Sequence, residues 1–277
     1  MKKCFVVSIL LLIILTACNG SATNNQGPKV WEAVQPEVLK LVKFPDTAQF
    51  CQYSDAVILE EDGKYRVLGE VKSNNALGVT VSNGFETIVT PVDGGYAVGE
   101  VVTYDNLTYK NRLNIFDQKI ERIKKGEGFL TPDELDQKLS EQNLYISRMG
   151  ILRKSELGFA ARGDALQAIV TNRSDETILN CVIAFACWDS NNLPLRIQQP
   201  YITSAYNTPY IAEVHFQNIN LRKGKTYGEE NGYYISENMK VKTAKAIIVS
   251  YEGLNGVKWE NPYYLDFIEA YEGKELK

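Results

Sequence analysis

The sequence predicts an α+β protein: an N-terminal helix joined to an antiparallel β-meander, a helical connector, and a C-terminal β-sandwich. Three observations predict it. Residues 31–44 place apolar side chains at helical spacing, and residues 56–104 alternate apolar and polar between strong turn signals. From Leu144 to Trp259 strand-like runs return and dominate. The chain has 277 residues, 44% hydrophobic and 23% charged, the profile of one or two folded domains.

The first 17 residues are read separately. Lys2 and Lys3 precede an apolar run from Phe5 to Leu15, too short to cross a bilayer as a helix. Leu15-Thr16-Ala17-Cys18 follows. This segment resembles the lipobox signal of bacterial lipoproteins. The resemblance implies a diacylglyceryl group on the sulfur of Cys18, cleavage just before it, and membrane retention by two or three acyl chains. Residues 1–17 are then a signal peptide, and residues 18–29, small and polar, a lipidated flexible tether. The expected location is the extracytoplasmic face of the cell membrane. Loss of Lys2 and Lys3 with no acidic residue takes the net charge from −4 to −6. An acidic chain lacks the basic stripe that nucleic acid requires, so none is expected as partner.

Residues 30–104 read as a small α+β module. Val34, Val38, Leu41 and Val42 share one helical face, Pro36 fits a first turn, and Pro45 stops the helix. Strands follow over 56–60, 64–73, 78–92 and 95–104. In the second, Tyr65, Val67 and Val71 alternate with Arg66, Glu70 and Lys72, which predicts one buried face. Asp93-Gly94-Gly95 is a hairpin signal. The pattern Tyr65-x-Val67-x-Gly69-x-Val71 with Asn74-Asn75-x-x-Gly78 resembles a module common in bacterial surface lipoproteins, in which a helix precedes a small antiparallel sheet.

Residues 105–142 read as a helical connector. Tyr109, Leu113, Phe116, Ile120 and Ile123 form a seam, and Lys110, Arg112, Lys119, Arg122, Lys124 and Lys125 fall on the other face, expected to be solvated. Thr131-Pro132-Asp133-Glu134 combines an N-cap, an N1 proline and a capping-box glutamate.

Residues 143–277 form the predicted sandwich, closed by a short helix from Tyr263 to Tyr271. The clearest strands are 165–171, 177–189, 210–218 and 242–251. Between 179 and 188 both faces are apolar, which fits a central strand. Val170-Thr171-Asn172-Arg173-Ser174-Asp175 with Phe185-Ala186-Cys187-Trp188-Asp189 resembles the FxLYD type of domain, small immunoglobulin-like sandwiches of bacterial envelope proteins, and related lipoprotein domains of unknown function. Cys187 and Trp188 stand where that signature has Leu and Tyr. The resemblance implies a fold and a compartment, not an activity.

Catalytic and metal motifs are sparse. His215, the one histidine, lies in a strand without a Gly-x-Ser-x-Gly or Ser-x-x-Lys run elsewhere, and the thiols are too scattered for a zinc site. Cys181 and Cys187, roughly 20 Å apart along a straight strand, exceed the reach of a disulfide; with Cys51 they read as small buried hydrophobes. Gly224-Lys225-Thr226 lacks the first glycine of a phosphate loop, since position 219 is Ile219. Asp189-Ser190-Asn191-Asn192 starts like a calcium loop, but Leu193 takes a ligand position, so a hairpin turn is expected. No catalytic residue, metal or cofactor is assigned. Tyrosine is enriched in two stretches, Tyr201, Tyr206 and Tyr210 in a loop-like one and Tyr227, Tyr233 and Tyr234 in a Gly-rich one; the first three are the candidate binding surface, suited to a sugar ring or a peptide. The expectation is a membrane-anchored surface lipoprotein, a non-enzymatic binding or scaffolding module with an envelope protein or glycan as ligand. The alternative is an envelope hydrolase using loop carboxylates such as Glu229 and Glu230 on a glycan or peptide.

Overall fold

Helix α1 of the computed structural model, Gly27–Leu39, begins four residues earlier than the apolar spacing predicts, because Pro28 sits in its first turn where no amide donor is needed. Pro36 consequently falls inside the helix instead of in its first turn, and the helix ends soon after, at Leu39. The structure describes residues 26–157, 163–200, 208–230 and 232–277. The signal segment, Cys18 and the tether up to residue 25 lie outside the described residues, as do Tyr201 and Tyr206. No described helix is long and apolar enough to cross a membrane. The fold is α+β and rich in antiparallel sheet, in two units that meet in sequence at Lys124 and Lys125.

The first unit carries strands β1 (Gln49–Phe50), β2 (Val57–Glu61), β3 (Lys64–Asn74), β4 (Thr80–Val92), β5 (Gly95–Val98) and β6 (Val102–Tyr104). β3 and β4 form the spine, in register from Tyr65↔Val89 to Asn74↔Thr80. The hairpin at Asp93-Gly94 closes as its residues require, with Val92 opposite Gly95 and Gly94 at φ 81°. The expected single strand over 95–104 is broken: β5 pairs Val89–Val92 and β6 pairs Gly84–Glu86. The break sits at Gly99, whose amide donates to Ile88 O at 2.8 Å and whose position leaves no room for a Cβ, 2.9 Å from that oxygen.

Both faces of this sheet are covered, where the sequence pattern led us to expect one. Val30, Trp31, Val34 and Val38 of α1 pack on Val67, Val71, Phe85 and Val89. On the opposite face, Tyr109 and Phe116 of helix α2 (Asn106–Lys124) pack on Leu59, Leu68 and Tyr104. The predicted seam therefore docks, but part of the predicted solvated face docks with it. Arg112 reaches the sheet and binds Glu86, and Lys119 pairs with Glu61. Glu86 also accepts from Arg66 Nη1 at 2.8 Å and from the Tyr104 hydroxyl at 3.0 Å. Both guanidinium groups lie over the Phe116 ring, 5.4 and 5.9 Å from its centre. Burial alone would raise the Glu86 carboxyl, but Arg112 and Arg66 more than offset it and hold it below the ordinary carboxylate range.

The second unit begins with helix α3 (Pro132–Ser140), capped by a complete Thr131–Glu134 box. Strand β7 (Leu144–Leu152) and a one-turn helix α4 (Lys154–Leu157) follow. Strand β8 (Ala165–Asn172) is the centre of one sheet, with β7 on one side and the short β12 (Thr226–Tyr227) and β13 (Tyr233–Tyr234) on the other. Strand β9 (Ile178–Trp188) is the centre of a second, flanked by β10 (Pro194–Leu195) and β11 (Ile211–Phe216) on one edge and β14 (Thr243–Gly253) on the other; β15 (Lys258–Glu260) pairs with β14. Leu166, Ala168 and Val170 of β8 share one core with Cys181, Ile183, Phe185 and Cys187 of β9 and Ile248 of β14. The other face of β9 is covered too: helix α5 (Tyr264–Tyr271) brings Tyr271 edge-on to Trp188 at 5.6 Å, and the Trp188 indole donates to Lys274 O at 2.8 Å.

Candidate functional site

A groove of about 360 Å³ opens in the second unit between α3, the first half of β7 and the first half of β14. It exists because β7 and β14 belong to different sheets: β7 pairs with β8, β14 with β9, and among the described residues no ladder joins the two. A bulge at Ser147 shifts the β7–β8 register between Ile146 and Arg148. Ser147 is held there by donating to Ile169 O at 3.1 Å and accepting from Thr171 Oγ1 at 3.0 Å.

The flanking helix is fixed by polar contacts. Arg173 donates to Ser140 O at 3.0 Å while its guanidinium stacks 3.7 Å above the Tyr145 ring. Gln142 and Asn261 exchange amide bonds at 2.9 and 3.1 Å, which ties the end of α3 to the segment ahead of α5. Lys245 Nζ meets Asp136 Oδ2 at 2.6 Å across the groove mouth. Burial alone would lower the Lys245 ammonium; Asp136 and Tyr271 together more than offset this and keep it above its ordinary value. Arg148 differs from both cations. It lines the groove, is exposed, and makes no hydrogen bond or ion pair among the described residues. The groove thus joins apolar wall (Leu139, Ile146, Met149) to one uncompensated positive charge.

The residues singled out by sequence do not converge on this groove. Of the tyrosine loop only Tyr210 is described, and one face of its ring already carries the Arg196 guanidinium at 4.5 Å. Tyr227 packs edge-on to Phe216, and Tyr233 stacks on Phe185 while accepting from Gln199 Nε2 at 2.9 Å. His215 is exposed on β11 opposite Val182. Glu229 and Glu230 are exposed. The loop after Asp189 is the expected turn, with Asp189 Oδ1 accepting from Asn191 N and Leu193 N at 2.8 and 3.0 Å. Cys51, Cys181 and Cys187 are free thiols, and burial pushes the latter two up to about 12. Among the described residues no group of three or more His, Cys, Asp or Glu side chains is placed to hold a metal ion. Nothing in the sequence marked Arg148, because its isolation depends on which strands pair with β7 and β14.

No curated protein matches the chain. A solved structure from Peptoclostridium difficile 630, described as a hypothetical protein, aligns over 49% of this chain and 94% of its own, with 13% identity and a TM-score of 0.41. Residues 165–274 match a family of unknown function, DUF5780; the β14 wall of the groove falls inside that match, and the wall bearing Arg148 falls before it.

Proposed function

We propose that this protein is a membrane-anchored surface lipoprotein, held at the extracytoplasmic face of the cell membrane by lipid on Cys18. Its role is that of a non-enzymatic binding or scaffolding module of the cell envelope, with an envelope protein or glycan as ligand and no cofactor. The lipobox at Leu15–Cys18 supports the location. The paired sheets around one core support an immunoglobulin-like sandwich of the FxLYD kind for the C-terminal unit. The observation that carries the binding role is the open groove with its uncompensated Arg148 guanidinium. A concave site mixing apolar wall with one placed charge is how proteins commonly receive a ligand.

A photo-crosslinking residue tests this. Placed at Ser140, which is exposed on the groove rim, it is expected to give discrete adducts with envelope components on intact cells. The same residue at Leu254, 61% exposed in the β14–β15 turn, is the control. No adducts at Ser140, or the same adducts from both positions, would contradict a binding role for this groove.

A further inference from the structure

The turn between β3 and β4 carries the most exposed large apolar side chain among the described residues, Leu77 at 87%, with Val79 near it at 56%. A lone exposed leucine is ordinary. Here the fold brings a second apolar segment to the same end of the first unit. Asn74 N donates to Thr47 Oγ1 at 3.0 Å, and Thr47 N to Phe44 O at 3.1 Å. Phe44 and Leu41, both exposed, lie in the stretch that follows α1.

The turn asks little of water. Asn75 Oδ1 accepts from Leu77 N at 2.9 Å and from Val79 N at 3.0 Å. Asn75 N donates to Val79 O at 2.8 Å, and Gly78 N to Asn75 O at 3.0 Å. The amides of residues 75, 77, 78 and 79 are thus satisfied within the turn, as a segment entering a poorly hydrating medium requires. Charge at this end is near balance. Lys43, its Nζ 5.9 Å from the Phe44 ring centre, and Lys72 are exposed, and Asp46 and Glu70 are the carboxylates near them; Lys40 is neutralised by Glu37. The apolar side chains therefore decide what covers the tip. A projecting leucine suits a fluid surface, which closes around it, whereas a protein partner must offer a matching pocket. Lysine stems beside such a tip keep their ammonium groups at the level of lipid phosphates.

A membrane lies within reach. Cys18 precedes Gln26 by eight residues, at most about 28 Å of extended chain. The tip stands about one length of α1, roughly 20 Å, from Gln26. Anchoring also makes the contact intramolecular, so that a weak insertion is populated. We propose that the β3–β4 turn is a second membrane contact, with Leu77 and Val79 entering the boundary between headgroups and acyl chains of the bilayer that holds the Cys18 lipid. This rests on the reading of Cys18 as the anchor and adds an orientation to it: the β3–β4 end of the first unit faces the membrane.

The test uses the lipidated full chain in vesicles of phosphatidylcholine and phosphatidylglycerol, some lipids carrying a nitroxide near the top of an acyl chain. A fluorescent amino acid in place of Ala76, exposed in the turn, is expected to be quenched about threefold more than one in place of Val92, exposed at the far end of β4. Leu77→Asp should bring the Ala76 probe down to the Val92 level, with the thermal midpoint unchanged because Leu77 is exposed. Equal quenching at both positions, none at either, or indifference to Leu77→Asp overturns the proposal. A photo-crosslinker at Ala76 that captures one envelope protein on intact cells, with no quenching in vesicles, makes the tip a protein contact and overturns it too. The mass of the N-terminal peptide separates the two failures. Lipid on Cys18 without quenching sinks the membrane contact and leaves the anchor standing; absence of lipid sinks both.

Discussion

Arg112 holds Glu86 through a double contact, donating from Nε to Oε2 at 3.0 Å and from Nη2 to both carboxylate oxygens at 3.0 and 2.9 Å. Arg66 adds a third donor group from the neighbouring strand. Glu86 is thus the anion on which α2 and the sheet of the first unit are registered. A buried carboxylate shared by two guanidinium groups adds less to stability than its geometry implies, because all three charges lose hydration. Removing it is another matter: Arg66 keeps Glu61 at 3.4 Å, but both guanidinium groups lose the buried carboxylate they share.

Glu86→Gln is therefore expected to destabilise the first unit by about 3–5 kcal/mol. Hydrogen exchange of the β3 and β4 amides measures it. The pH dependence has a defined sign. The folded-state carboxyl titrates below its unfolded value, so its contribution is fully present above about pH 4.3 and is lost as pH falls through the depressed value. Acid should loosen the wild-type unit in that range, while the glutamine variant, already weakened, should show a shallower dependence. Equal acid sensitivity in both proteins would mean that the network does not control acid stability.

Gly69 lies beneath the Trp31 and Phe85 rings. A Cβ there would stand 2.6 Å from Phe85 Cζ and 2.7 Å from Trp31 Cη2. Trp31 and Phe85 are stacked at 5.8 Å, so neither ring can retreat without disturbing the other. Gly69→Ala is expected to cost about 1–3 kcal/mol by overpacking, read from urea denaturation. A neutral result would show that α1 rides loosely on the sheet.

Cys181 and Cys187, pushed up to about 12 by burial, should resist alkylation in the folded protein at neutral pH, and Cys51, raised chiefly by burial, should react slowly. In protein whose Cys18 carries lipid, denaturation without reductant should release three alkylatable thiols. Finding fewer would require a disulfide that the structure does not contain.

The sequence carried most of the local architecture. The Asp93-Gly94 hairpin, the Thr131–Glu134 cap and the two-sided apolar run of β9 were legible because each is decided by residues adjacent in the chain. Pro36 was misplaced by the same local logic, since Pro28 moves the helix start upstream. Glu86 was not legible: a charged residue in a strand reads as solvent-facing until α2 folds back to cover it. The groove was still less so. Arg148 is ordinary in sequence and distinctive only once β7 pairs with β8 and β14 with β9. The tyrosine enrichment drew attention to Tyr201, Tyr206 and Tyr210, yet Tyr233, Tyr227, Tyr271 and Tyr251 pack their rings on Phe185, Phe216, Trp188 and Trp259.

Anchoring at Cys18 is the claim on which location, and with it the class of partner, depends. The most direct measurement is the mass of the N-terminal peptide from protein extracted out of membranes, beside a Cys18→Ala variant. A peptide beginning at Cys18 and carrying a diacylglyceryl thioether is expected, with the variant retained as unprocessed precursor without lipid. An unmodified Cys18 in mature protein, or normal processing and membrane retention of the variant, would contradict the account.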